Sequence, residues 1–135
     1  MKSLILSLRI LMAAILLQTL YFKFSGAPES VYIFSTLGVE PYGRWFAGFS
    51  ELIASLLLLI PATQILGALA SLGIMAGALL SHIFVLGIVV QDDGGLLFGL
   101  GLLVFVAGLL VLALQKQDVM ALVDKIKKTA FPAKA

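Results

Sequence analysis

The sequence predicts an all-α membrane protein: a bundle of four transmembrane helices with a short interfacial helix on the outer side and an amphipathic helix in a cytoplasmic tail. Three observations predict it. The apolar share is 61% and the charged share 12%, about half the roughly 25% of a soluble domain. Mean hydropathy is +1.15. Long uncharged runs recur along the chain, each near the ~20 residues that cross a bilayer. Together they exclude a soluble globular protein, a disordered chain and a nucleic-acid-binding arm. The 135 residues form at most one domain, 1–135.

The first expected span is 3–22. Arg9 interrupts it and no A-x-A-like cleavage site follows, so it reads as a retained helix rather than a signal peptide. Ser25-Gly26-Ala27-Pro28 is turn chemistry, with Pro28 suited to the first position of a short helix over about 28–38 that Gly38 ends. The apolar Val31, Phe34 and Leu37 suit a helix lying on the membrane. The second span runs over 41–60 and stops at Pro61; the third runs over 64–90 after a tight turn. Gln91-Asp92-Asp93-Gly94-Gly95 is a polar connection into the fourth span, 95–114. In the tail, 116–135, Val119, Leu122, Val123 and Ile126 repeat at helical spacing, and Lys125, Lys127 and Lys128 cluster. Three lysines fall short of the 4–8 that mark specific lipid recognition, so a surface helix that anchors topology is the favoured reading over lipid or partner docking.

Four spans put both termini on one side with the 61–63 turn. That side carries Lys2, Lys116, Lys125, Lys127, Lys128 and Lys134; the other carries Lys23 and Arg44. The basic excess places both termini in the cytoplasm. Within the bilayer small residues let helices approach. Gly73, Gly77 and Ser81 on the third span, and Gly95, Gly99, Gly101 and Gly108 on the fourth, predict that these two pack closely.

Ionisable groups inside a membrane are costly and are functional candidates. Arg9, Glu51 and His82 are three such groups, with Gln18 a polar companion. At about 1.5 Å per residue, Gln18 and His82 lie roughly 21 and 24 Å from the inner surface and Glu51 about 15 Å below Pro41. All three then fall near the midplane or in the outer half, each flanked by small residues. Glu51 and His82 are the candidate catalytic residues, forming a polar pocket that binds a ligand or moves protons; a buried pair that fixes packing is the alternative. Arg9 is expected to be structural, snorkelling to the inner headgroups. Tyr21, Tyr32, Tyr42 and Trp45, all the Tyr and Trp of the chain, lie toward the outer side, as a rim over a pocket or an outer aromatic belt. Candidate ligand contacts are Gln18, Tyr21, Lys23, Arg44, Trp45 and Ser81. No metal site is expected: there is no cysteine and one histidine, so one chain supplies neither a bis-histidine haem pocket nor cysteine ligands for an iron–sulfur cluster.

The opening helix with Arg9, FKFSG at 22–26, LGVEPYGR at 37–44, GFSELIASLLLLIP at 48–61 and AGALLSH at 76–82 resemble the DoxX family over about residues 5–112. The family pattern maps onto Arg9, Lys23, Glu51 and His82. The resemblance implies a four-helix bundle in the bacterial inner membrane, a non-autonomous subunit of a quinone-linked oxidoreductase. Quinone is then the implied cofactor, with none bound covalently, and a redox protein the implied partner beside membrane lipid. A homo-oligomer is compatible with the chain and no nucleic acid is expected. The family namesake resembles a subunit of a thiosulfate:quinone oxidoreductase, but no soluble thiosulfate-handling portion is present here. The expected function is binding of a quinone-type or other lipophilic ligand in an outer-half pocket, where His82 and Gln18 donate hydrogen bonds and Glu51 takes a proton. The alternative is a non-enzymatic assembly, cargo or lipid-binding protein.

Overall fold

The structure, a computed structural model, describes residues 1–134. The chain is all-helical: α1 Lys2–Phe24, α2 Pro28–Thr36, α3 Tyr42–Leu59, α4 Gln64–Ser81, α5 Leu96–Leu114 and α6 Lys116–Ala130, with no strand among the described residues. A 3₁₀ turn, Pro61–Thr63, joins α3 to α4, and a π-helical turn, His82–Leu86, follows α4. The segments Lys2–Phe24, Pro61–Leu86 and Leu96–Leu114 are long and apolar enough to cross a membrane. Helix α3 carries Arg44 and Glu51 within its 18 residues and is not one of those three.

Glycine and proline set the ends. Gly26, at φ +67°, turns the chain out of α1, and Pro28 opens α2, where a missing N–H costs nothing. Gly38, at φ +76°, closes α2, whose last helical residue is Thr36. Pro61 has no N–H for the carbonyl of Leu57, so α3 ends there and the Thr63 hydroxyl donates to that carbonyl instead, at 3.0 Å. The expected span 64–90 is shorter as a helix. The α-helical part stops at Ser81, the π-turn stops at Gly87, and 87–95 is irregular.

Helices α1, α3, α4 and α5 form a ring, α1 and α4 each packing on both α3 and α5. Met12, Leu16, Leu58, Val104 and Val111 fill its centre. Outward-facing side chains are apolar as well, Phe46 and Phe84 being 76% and 77% exposed. A surface like that is a liability in water and ordinary in lipid. Helix α2 lies across one end of the ring, touching α1, α3 and the π-turn. Helix α6 leaves the other end and has no buried residue.

The close approaches are only in part where the small residues predict them: Gly101 and Gly108 face α4, but Gly73, Gly77 and Gly99 make no such contact. A Cβ at Gly73, Gly77 or Gly99 would meet nothing within 4 Å. The tight crossing is at Gly67, where a Cβ would come within 2.5 Å of the Leu58 backbone nitrogen of α3. Helices α4 and α5 meet further along, Gly108 facing Leu72 and Gly101 facing Met75 and Leu79. The i, i+4 spacing names a face of one helix; the rotation of α4 turns that face away from α5.

Candidate functional site

A cavity of about 690 Å³ lies between α1, α3, α4 and α5 under α2. Most of its wall is apolar, with Leu16, Phe46, Met75 and Leu100 among the lining residues. Gln18, Lys23, Glu51, Ser81 and His82 also line it, so five of the eight expected catalytic and ligand-binding residues share one space.

Glu51 is held by α1. It sits mid-way along α3 and is buried. Its Oε2 lies 3.0 Å from Lys23 Nζ and accepts from the Thr19 hydroxyl at 2.8 Å. Lys23 stands one turn beyond Thr19, and its side chain leans back toward the N-terminus of its helix, which brings both groups to the same carboxylate. The Thr19 hydroxyl is also 2.8 Å from its own-helix carbonyl of Leu16. With one proton to give, it serves the charged acceptor better. Both contacts fall on Oε2, and Oε1 bonds to no described residue. Two of the three ammonium N–H groups of Lys23 are likewise uncommitted. Glu51 and His82 form no hydrogen bond to each other.

His82 opens the π-turn, a distortion common at functional sites. Gly87 donates its N–H to the His82 carbonyl at 2.7 Å, and the Gly87 carbonyl lies 2.9 Å from His82 Nδ1. A carbonyl only accepts, so the contact requires a proton on Nδ1, and in the neutral form of the ring Nε2 then presents a lone pair. The sequence expectation gives His82 a donor role; with Nδ1 committed to Gly87, the ring nitrogen left for a ligand is Nε2. Gly87 has φ +80° and ψ 170°, a conformation essentially confined to glycine. The ring packs edge-on against Phe98, centroids 5.7 Å apart.

Asp93 anchors the loop beside His82. Its Oδ1 accepts the N–H groups of Val90 at 3.0 Å and Gly95 at 2.8 Å, and its Oδ2 accepts that of Leu97 at 3.1 Å. Burial would raise its carboxyl pKa, but these three donors, together with the attraction of His82 in its cationic form, outweigh burial and hold it below the ordinary 3.8.

Three expected ligand contacts lie elsewhere. Tyr21 is 72% exposed and Trp45 is also exposed, neither lining the cavity. Tyr21 is two residues from Thr19, about 200° around α1, so it turns outward when Thr19 turns in. Arg44 is buried but bonded to Glu40, with Nη2 2.8 Å from Oε1, and it donates to the carbonyl of Lys23. It ties the start of α3 to the end of α1. Arg9 does not snorkel. It is 6% exposed, and its Nε and Nη2 donate to the carbonyls of Leu58 and Leu59 at 2.6 and 3.1 Å. These are among the carbonyls that Pro61 leaves open, and a guanidinium is a five-donor fork suited to them. Gln18 lines the cavity but is exposed, at its edge.

Sequence reading missed Thr19, Gly87 and Asp93. Thr19 carried a usable signal, its i, i+4 relation to Lys23; Gly87 carried one as a glycine after an apolar run. Among the described residues no group of three His, Cys, Asp or Glu could hold a metal ion. Comparison with protein-family models, curated proteins and solved structures finds no match to this chain.

Proposed function

We propose that this is a four-span, DoxX-like protein of the bacterial inner membrane, with both termini cytoplasmic, which binds a quinone-type lipophilic ligand between its helices as a subunit of a redox system. The single observation that carries the reading is the apolar cavity with Glu51, Lys23 and His82 on its wall. Its volume falls within the ~300–1,000 Å³ of small-molecule sites, which are mostly apolar with a few placed polar groups. The α3 geometry supports the fourth span. Its charged Arg44 and Glu51 are buried within the protein, while Phe46, Phe49, Ile53 and Leu56 make its exposed face. A helix so arranged shows lipid no charge.

The residues fit a quinone-type head group. Apolar walls suit the ring and tail; Lys23 N–H, Glu51 Oε1 and His82 Nε2 supply unfilled hydrogen-bonding positions. Such a group, when bound, supplies two-electron redox chemistry. The chain's own residues orient the head, exclude water beneath α2 and hold protons at Nε2 or Oε1. Electrons pass to or from a partner protein.

The bonds from Thr19 and Lys23 to Glu51 also tie α1 to α3, which favours the second reading, a non-enzymatic lipid-binding or assembly protein. Mass analysis of lipids extracted from the detergent-purified protein separates the two. A stoichiometric isoprenoid quinone is expected; phospholipid alone, with no binding of added quinone, overturns the redox reading. Orientation is checked with single cysteines at Ser35 and Lys134 and an impermeant thiol reagent on intact cells. Ser35 should label and Lys134 should not; the reverse overturns the topology.

A further inference from the structure

We propose that His82 is the specificity-determining residue of this cavity, accepting a hydroxyl hydrogen bond at Nε2 so that the pocket prefers the hydroquinone form of its ligand to the oxidised dicarbonyl form. The inference rests on the quinone-type reading above and adds which redox form is recognised and by which atom.

The donor and acceptor inventory carries it. On the cavity wall, Lys23 offers N–H groups and Glu51 Oε1 offers lone pairs, so that pair accommodates either a carbonyl or a hydroxyl. His82, in its neutral form, is one-sided. Nδ1–H is committed to the Gly87 carbonyl, and the same glycine's N–H returns to the His82 carbonyl. That closed pair of bonds, in a backbone conformation that favours glycine, fixes the tautomer. Nε2 has no protein partner, yet it is not an enclosed, unsatisfied atom: among the described residues those are Gln64 Oε1 and Gln115 Oε1. His82 is 5% exposed and lines the cavity, so the access Nε2 retains is toward that space. The neighbouring Ser81 hydroxyl donates to its own helix at Gly77, 2.8 Å away, and supplies no competing donor. A hydroxyl satisfies the lone pair of Nε2. A quinone carbonyl would set lone pair against lone pair in a site of low dielectric, where an unmet acceptor is costly.

The chain has one histidine, so its ring nitrogens are observable without assignment. Full-length protein labelled with ¹⁵N-histidine is held in detergent at about pH 8.5, where imidazoles are ordinarily neutral. It is titrated with a short-chain alkyl hydroquinone kept reduced, and separately with its quinone. The free protein should show a protonated Nδ1 and a bare Nε2. The hydroquinone should shift the Nε2 resonance and bind at least about tenfold tighter than the quinone, the effect of one neutral hydrogen bond gained against one lost. In His82→Gln, whose amide both donates and accepts, the ratio should fall to within about threefold. An Nε2-protonated tautomer, equal or tighter quinone binding, or a preference that survives His82→Gln each overturns the proposal and leaves the pocket reading standing. If wild type binds neither form, the pocket reading fails and this inference with it.

Discussion

Replacing Lys23 by Met should destabilise the bundle sharply, and replacing its partner as well should restore it. The Lys23 and Glu51 side chains are 13% and 6% exposed and lie 3.0 Å apart. Deleting one member of a buried pair leaves the other as an uncompensated charge, which costs about 3–5 kcal/mol. Lys23→Met should approach that range, because the Glu51 side chain is 6% exposed, sits mid-helix and faces only the cavity. Glu51→Leu should cost less, about 1–3 kcal/mol, because the long stem of Lys23 near the end of α1 can swing outward. In the double variant Lys23→Met, Glu51→Leu no charge remains. The Thr19 hydroxyl keeps its bond to the Leu16 carbonyl at 2.8 Å, so no donor is orphaned. An apolar pair of similar volume is often neutral or better, and the double variant should lie within about 1 kcal/mol of wild type. The assay is equilibrium unfolding in mixed micelles with rising dodecyl sulfate, followed by circular dichroism. Destabilisation in the double variant equal to the sum of the singles would refute the buried-pair reasoning and mark the contact as solvated. If the double variant is stable yet loses quinone retention, the pair serves the ligand as well as the packing.

Other outcomes follow from the same geometry. Arg9→Leu orphans the carbonyls of Leu58 and Leu59 and should cost about 2–5 kcal/mol, with Arg9→Lys recovering part of it in the same unfolding assay. Gly87→Ala forces a Cβ into φ +80°, ψ 170°, costing about 1–3 kcal/mol; the histidine ¹⁵N spectrum should show Nδ1 losing its fixed bond, and an unchanged spectrum would contradict the tautomer lock. The Asp93 pKa is lowered on folding, so the unfolded chain binds the proton more readily and stability rises with pH. Its contribution is complete above the unfolded value near 3.8 and fades as pH falls through the folded one. The stability gap between wild type and Asp93→Asn should therefore shrink below about pH 4, and a gap that widens there would reverse the sign of the argument.

How much of this is legible in sequence depends on whether a feature is local. Helix ends are local: Pro28, Gly38 and Pro61 act through their own φ angles and missing N–H groups, and they mark boundaries that the fold keeps. The apolar character of α1, α4 and α5 is a matter of composition and needs no neighbour. The rarity of Glu51 and His82 in such surroundings is also local, and it is enough to direct attention to them. Their partners are not local. Lys23 rather than His82 meets Glu51 because the antiparallel register of α1 on α3 sets Thr19 and Lys23 beside it. That register also brings Arg9 to Leu58 and Arg44 to the carbonyl of Lys23. Helices apolar on every side carry little pattern to fix their rotation, so the sequence leaves open which face of α4 meets α5. Packing decides it, setting Gly101 and Gly108 of α5 against Leu72, Met75 and Leu79 of α4, turning Gly67 to α3 and leaving Gly73 and Gly77 without close contact. The tautomer of His82 is set the same way, by where the backbone of Gly87 turns, because a ring nitrogen takes its proton role from the atom it faces.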